Sequence, residues 1–238
     1  MRPSGLGEGE DAGQDVKTVY GAIFHRQLLH GALLALLLVL VALASRLPGV
    51  TEGELWGGSA RAWFWVAIMT AVAHQVYVWL AWRLELHAQA FTRLLPRAGF
   101  RVFKAVFAVL GLSRLMVFPL AVANRGTVSL PWLLQWGLAV AFVFLSGYLF
   151  YSVFRYFGTD RAAGADHFHP EARTWPLVKQ GIFRYSSNGM YVFGFLLLWV
   201  PGLVFESSGA LVVAAFHHTY IWIHYHCTEK PDMRLIYG

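Results

Sequence analysis

Residues Leu28–Leu47 form a near-continuous run of leucine, alanine and valine between Arg26 and Arg46. About 20 apolar residues in a helix are enough to cross the hydrocarbon core of a bilayer. Three further runs of similar length follow, and then two shorter ones joined by a turn at residues 207–209: Ala62–Trp82, Phe103–Ala123, Trp132–Phe154, Gly189–Phe205 and Leu211–Ile223. The pattern predicts an all-α, polytopic transmembrane helical bundle of about six spans.

The amino-acid composition supports a membrane protein and argues against a soluble domain. The chain has 57% hydrophobic and only 13% charged residues, whereas roughly a quarter of residues are charged in soluble domains. The formal charge of +6 comes from residues scattered between apolar runs rather than from a continuous basic stripe, so no nucleic-acid partner is predicted. Cys227 is the single cysteine, which excludes an internal disulfide and a cysteine-based metal site. Oligomeric state cannot be inferred from these features.

The Gly-rich, acidic residues 1–19 are predicted to be a disordered tail, and residues 20–238 a single transmembrane domain. Lysine and arginine are distributed unequally between alternate connections. One set of connections carries many, whereas the other carries only Arg46, Arg61 and Arg125. Because positive charge accumulates in cytoplasmic loops, both termini are expected in the cytoplasm.

The connection between the fourth and fifth spans, residues 155–188, is unusually long for a membrane bundle and mixes charged, imidazole and aromatic side chains. Long ordered connections are commonly functional. Such a mixture suits a ligand with a flat ring and charged ends. Residues 155–238 are therefore the predicted ligand-binding part, on the cytoplasmic face.

Two motifs lie in this part of the chain. The first runs from the loop into the fifth span and contains Leu177-Val178-x-x-Gly181-x-Phe183-Arg184-Tyr185, then Asn188-x-Met190-Tyr191 and Gly194. The second follows the last span and contains Glu229-Lys230-Pro231, then Met233, Tyr237 and Gly238. Together they resemble the signatures LVxxGxYRYxRHPxYxG and EExxLxxxFG of the membrane methyltransferases that include isoprenylcysteine carboxyl methyltransferase and the phospholipid N-methyltransferases.

The resemblance implies S-adenosylmethionine as methyl donor, held by both motifs. It implies cofactor-binding roles for Trp175, Pro176, Leu177, Val178, Gly181, Phe183, Asn188, Gly189, Met190, Tyr191 and Glu229. In physical terms, Glu229 can accept hydrogen bonds from a ribose or an ammonium group. An aromatic such as Tyr191 can face a sulfonium, and the start of the fifth span can receive a carboxylate.

The chain departs from the family pattern at three places. Ser187-Asn188-Gly189 replaces the RHP triplet, Lys230 replaces the second glutamate, and Tyr225 stands where the family has a substrate-facing arginine. The segment from Asn188 to Tyr191 is more similar to the NPMY segment of phospholipid N-methyltransferases than to the prenylcysteine branch.

Candidate residues for the acceptor side come from the polar groups in and beside the spans. His224, His226 and Glu229 are the candidate catalytic residues, because each can take the proton that an amine acceptor must lose. Arg114, His218 and Tyr225 are the candidate substrate residues. For Arg114, as for His74, a structural pairing inside the bundle is an open alternative.

The sequence therefore predicts a membrane-embedded methyltransferase that acts on a lipid or amphiphilic acceptor, most readily a phospholipid amine. A carboxyl or thiol acceptor is an alternative. From other classes, a non-catalytic lipid-binding protein and an iron oxidoreductase with histidine ligands also stay open. The latter would use the cluster His217, His218, His224 and His226, but no HxxxH or HxxHH box is present, and no metal site is predicted.

Overall fold

The computed structural model describes residues 18–238, so the predicted disordered tail lies almost wholly outside the described residues. Among them, four helices are long and apolar enough to cross a bilayer: Thr18–Ala44, Ala60–Ala88, Gly99–Ala123 and Trp132–Phe157. A shorter apolar helix, Gly189–Val204, follows. The predicted all-α class is confirmed, and an unpredicted two-stranded hairpin, β1 (Glu54–Leu55) with β2 (Gly58–Ser59), is a small exception.

In the first half of the described residues, five helices and one 3₁₀ turn follow the short helical segment 18–23. Their bounds are α1 Gln27–Ala44, α2 Ala60–Ala88, α3 Ala90–Leu94, α4 Gly99–Ser113, the 3₁₀ turn Arg114–Met116 and α5 Val117–Ala123. Ser59 caps α2 by accepting a hydrogen bond from the Ala62 amide. Arg26 adopts a left-handed conformation (φ 61°) that separates α1 from helical residues 18–23.

The second half alternates α-helix with tighter and wider turns. Its elements are α6 Trp132–Ser152, the π-helical turn Val153–Phe157, α7 Thr159–Ala162, α8 Ala165–Phe168, the 3₁₀ turns Pro170–Thr174 and Gly181–Arg184, α9 Gly189–Phe193, the 3₁₀ segment Gly194–Trp199, α10 Val200–Val204, α11 Ser208–His224, the π-helical turn Tyr225–Glu229 and α12 Lys230–Tyr237. The predicted long connection is thus ordered as a series of short helices.

Helix α11 lies at the centre of the bundle, in contact with α1, α2 and α5. The main core forms along these contacts from closely packed apolar side chains, among them Phe64, Ile68, Val117, Leu120, Val213 and Phe216. By contrast, α1 and α6 present large exposed apolar side chains such as Leu28, Leu36, Leu133 and Phe144. Such outward-facing apolar surfaces are what a bilayer requires of a spanning helix.

Candidate active site

A pocket of about 340 Å³ lies where the loop after α6 meets the start of α9 and the C-terminal helix. We call it the outer pocket. Its lining is largely aromatic and apolar, with a few charged groups: Trp82, Phe157, Arg161, Ala162, Gly164, Asp166, His167, Trp175, Leu177, Val178, Phe183, Ser187, Asn188, Met190, Tyr191, Tyr225, Glu229, Met233 and Tyr237.

The two sequence motifs meet directly in this pocket. The Tyr191 hydroxyl, at the start of the fifth apolar segment, donates a hydrogen bond to Oε2 of Glu229 in the second motif. The Tyr191 ring packs 5.8 Å from the ring of Tyr225 and 5.9 Å from that of Trp222. Residues far apart in the sequence therefore form a single wall.

Most of the predicted cofactor-binding residues line the outer pocket, namely Trp175, Leu177, Val178, Phe183, Asn188, Met190, Tyr191 and Glu229. Pro176, Gly181 and Gly189 do not. The Pro176 carbonyl instead accepts a hydrogen bond from Arg161 (2.9 Å). Gly181 has φ 59°, and a Cβ there would lie 2.4 Å from Oγ of Ser152, so this glycine permits a close loop contact.

The three candidate catalytic residues lie in different parts of the structure. Glu229 lines the outer pocket. His226 is exposed and packs on Trp222 and Tyr225 outside it. His224 is buried deeper in the bundle. Of the candidate substrate residues, Tyr225 lines the outer pocket, whereas His218 accepts a hydrogen bond from the Trp199 indole (3.2 Å) and lines neither of the cavities described here.

Ten residues of the outer pocket were not among the sequence candidates: Trp82, Phe157, Arg161, Ala162, Gly164, Asp166, His167, Ser187, Met233 and Tyr237. Two of them, Met233 and Tyr237, could have been found from their spacing in the sequence. Tyr225, Glu229, Met233 and Tyr237 recur every four residues and so share one face of a continuous helix. The others are contributed by α2 and the long loop and come together only through tertiary packing.

The charged groups of the outer pocket are arranged around His167. Its ring stacks on Trp82 at 4.3 Å, with Nδ1 3.1 Å from Asp166 and Nε2 3.6 Å from Asp232. Burial alone would lower the pKa of His167, but the two carboxylates raise it above its ordinary value. Burial alone would raise the pKa of Asp166, and the hydrogen bond with His167 lowers it instead. For Glu229, burial raises the pKa to about 8.

A second cavity of about 160 Å³ continues inward from the outer pocket. We call it the inner chamber. The two cavities share Trp82, Ala162, Met190 and Tyr191 as lining residues. The remaining lining consists of His74, Gln75, Val78, Phe107, Arg114, Phe195, Ile221 and His224. Two of the sequence candidates, Arg114 and His224, therefore meet there.

Within residues 18–238, no group of three or more histidine, cysteine, aspartate or glutamate side chains is arranged to hold a metal ion.

Fold and pocket together define an integral membrane helical protein whose C-terminal helix lines a pocket beside the bundle. Residues 134–238, which include α6 and both motifs, match the family model for phospholipid methyltransferase. The resemblance drawn from the motifs is thereby confirmed, and the match supports a membrane methyltransferase. No curated protein and no solved structure matches the chain in the corresponding comparisons.

Proposed function

We propose that the protein transfers a methyl group from S-adenosylmethionine to a lipid or amphiphilic acceptor, with a phospholipid amine as the first choice. The observation that carries the proposal is the contact between Tyr191 and Glu229, because it unites the two motifs in one pocket. The family match covers both motifs and agrees with this reading.

The residues of the outer pocket suit this cofactor. A volume of about 340 Å³ lies within the range of roughly 300–1,000 Å³ for small-molecule sites. Aromatic rings such as Trp175 and Phe183 offer faces for the adenine, and the Glu229 carboxylate can accept hydrogen bonds from the ribose or the ammonium group. Tyr191 presents an aromatic ring to a sulfonium.

Arg161 supplies the cation that the altered RHP triplet lacks. Its guanidinium lies 5.3 Å from the centre of the Trp175 ring and 5.6 Å from that of Phe157, and Nη1 donates to the Pro176 carbonyl. Three contacts hold this side chain at the rim of the outer pocket. We assign it the role of binding the carboxylate of the cofactor, where a planar guanidinium can make charge-assisted hydrogen bonds.

Replacing Arg161 with glutamine is expected to weaken binding of S-adenosylmethionine about tenfold, as for the loss of one hydrogen bond to a charged group. Equilibrium binding of radiolabelled S-adenosylmethionine to the purified protein measures this. Arg155→Gln is the matched control, because Arg155 is exposed and lies outside the pocket lining. Equal affinities for the two variants would contradict the assignment.

When bound, S-adenosylmethionine supplies an electrophilic methyl group on a sulfonium, and the electrons of the broken C–S bond go to sulfur. The protein orients the two reactants and excludes water. Glu229 lines the outer pocket and His224 lines the inner chamber, and both cavities include Met190 and Tyr191 in their walls. Either can accept the proton that an amine acceptor releases. His226 has no contact with either cavity and is the weakest of the three candidates.

The charge asymmetry of the connections supports a site that opens to the cytoplasm, with both termini on that side. The acceptor would then enter sideways from the bilayer between spans, while the soluble cofactor enters from the cytoplasm.

The test uses the purified full-length protein with S-adenosylmethionine radiolabelled in its methyl group. We expect saturable binding, and transfer of label into a membrane lipid extract that is strongest in the amine-containing phospholipid fraction. Mass spectrometry of the labelled product identifies the acceptor atom. The proposal is refuted if the protein does not bind the labelled donor and transfers no label to any extract.

A further inference from the structure

Arg114 carries a buried positive charge that no carboxylate neutralises. It lies in the 3₁₀ turn between α4 and α5 and is only 6% exposed. Within the described residues it forms no salt bridge, and the lining of the inner chamber contains no acidic side chain. Its neighbours are instead two imidazoles and the ring of Phe195, whose centre is 5.2 Å away.

The hydrogen bonds fix both imidazoles as neutral acceptors toward this guanidinium. Nε of Arg114 donates to Nδ1 of His74 at 3.0 Å, so the proton of that neutral ring is on Nε2. Nε2 of His217 donates to the Ala67 carbonyl at 3.0 Å, which leaves its Nδ1 to accept from Nη1 of Arg114 at 3.3 Å. Two of the three guanidinium nitrogens are thus oriented by uncharged partners.

The remaining donors are buried without partners. Among the described side chains, Nη2 of Arg114 and Nε2 of His74 lack a hydrogen-bond partner, as do both ring nitrogens of His224. All three side chains line the inner chamber. A buried unpaired charge inside a bundle is strongly unfavourable and marks a functional site. Two N–H donors, one of them cationic, select a ligand group that is rich in acceptors and negatively charged.

We propose that the inner chamber binds an oxyanion, a carboxylate or a phosphate, in the head group of the methyl acceptor, and that Arg114 and His74 hold it. This inference rests on the proposed function and names the chemical class of its acceptor. The chamber volume of about 160 Å³ is close to that of a cavity of about 150 Å³ that holds benzene. It therefore accommodates a small head group rather than a whole lipid.

The position of the chamber relates this oxyanion to the reacting atom. Met190 and Tyr191 line both cavities, so a head group held by Arg114 lies directly next to the pocket assigned to the methyl donor. A phospholipid amine fits this arrangement, because its phosphodiester and its amine are separated by a two-carbon chain. The phosphate would contact Arg114 while the amine approaches the outer pocket.

The experiment measures the melting temperature of the purified full-length protein in uncharged detergent, with dodecyl phosphate, dodecanoate or dodecanol added below its micelle concentration. We expect the oxyanion probes to stabilise the protein and dodecanol to have a much smaller effect; the stronger of the two anions identifies phosphate or carboxylate. In Arg114→Met, apparent affinity for the anions should fall at least about tenfold, with the ligand-free melting temperature unchanged or raised, because an uncompensated charge is removed. Arg101→Gln, an exposed arginine on the same apolar helix, should behave as wild type.

The three probes are compared on the wild-type protein, which requires no variant. Equal stabilisation by dodecanol and by both anions therefore overturns the inference even if Arg114→Met fails to fold. Arg114→Lys, which keeps the charge, should retain part of the anion selectivity; full anion binding by Arg114→Met would also overturn it. Binding of radiolabelled S-adenosylmethionine is measured in parallel. Donor binding without anion selectivity overturns the oxyanion site alone, whereas anion selectivity without donor binding supports the oxyanion site and refutes the proposed methyl transfer.

Discussion

Glu229→Gln is expected to weaken binding of S-adenosylmethionine by about 1–3 kcal/mol, roughly 5- to 150-fold. Glu229 lines the outer pocket and accepts a hydrogen bond from the Tyr191 hydroxyl, so its carboxylate joins the two motifs. Glutamine keeps the shape but has one acceptor oxygen and no charge for an ammonium or a ribose. Equilibrium binding of radiolabelled S-adenosylmethionine checks the change. The matched control is Glu171→Gln, because the Glu171 side chain is 72% exposed and lies outside the pocket.

The same carboxylate predicts a pH dependence of cofactor binding. Because burial raises the pKa of Glu229 to about 8, this carboxyl group is largely protonated at neutral pH when no ligand is bound. A cationic ligand selects the ionised form, so binding should tighten by up to about tenfold per unit as pH rises toward 8. Titration of the cofactor itself affects both proteins equally, so it cancels in the ratio of the wild-type affinity to that of Glu229→Gln. A ratio that stays constant from pH 6 to 9 would contradict the role assigned to Glu229.

The raised pKa of Glu229 also predicts how the stability of the ligand-free protein changes with pH. An unfolded glutamate loses its proton near the ordinary value of 4.5, whereas folded Glu229 keeps it until about pH 8. Between these values the native state binds more protons than the unfolded state, so the contribution of Glu229 to the free energy of unfolding falls as pH rises. Glu229→Gln should remove this decline, which denaturant unfolding at several pH values can measure.

The fold could be predicted from the sequence where hydrophobicity decides it. The predicted span Ala62–Trp82 lies within the observed helix Ala60–Ala88. The prediction ends too early because Arg83 and Glu85 lower the hydropathy, whereas in the structure both are buried and paired. The partner of Arg83, Asp232, is distant in sequence, so a local window cannot detect this ion pair.

The site was predictable only where a motif covers it. The first motif and Glu229 indicated the outer pocket, but Trp82 and Arg161 enter it from elements with no motif. His226 is only three residues from Glu229 in the sequence, yet it does not line the outer pocket. The π-helical turn Tyr225–Glu229 changes the rotation per residue in this segment, and it leaves His226 exposed while Tyr225 and Glu229 share the pocket face. Propensities do not predict such a turn, which is rare and concentrated at functional sites.

Asp232→Ala is expected to destabilise the protein by about 3–5 kcal/mol, because it leaves the buried charge of Arg83 without its partner. Arg83 is 1% exposed, and its Nε donates to Oδ1 of Asp232 at 3.0 Å. The remaining guanidinium nitrogens donate to carbonyls in the segment before α1 and in the π-helical turn: Ala22, Ile23, His25, Cys227 and Thr228. This ion pair therefore anchors the C-terminal helix α12, which directly follows Glu229, to α2.

Denaturant unfolding in detergent measures the loss, and Asp160→Ala is the matched control. Asp160 pairs with Lys104, but the two side chains are 55% and 37% exposed, so this change should cost less than about 1 kcal/mol. Asp232→Ala should also weaken binding of S-adenosylmethionine, because His167 and Glu229 lose the support of the anchored helix. The double variant Arg83→Met with Asp232→Leu should recover part of the stability, since it removes both charges together. Equal losses for Asp232→Ala and Asp160→Ala would show that the ion pair of Arg83 and Asp232 does not hold the C-terminal helix on the bundle.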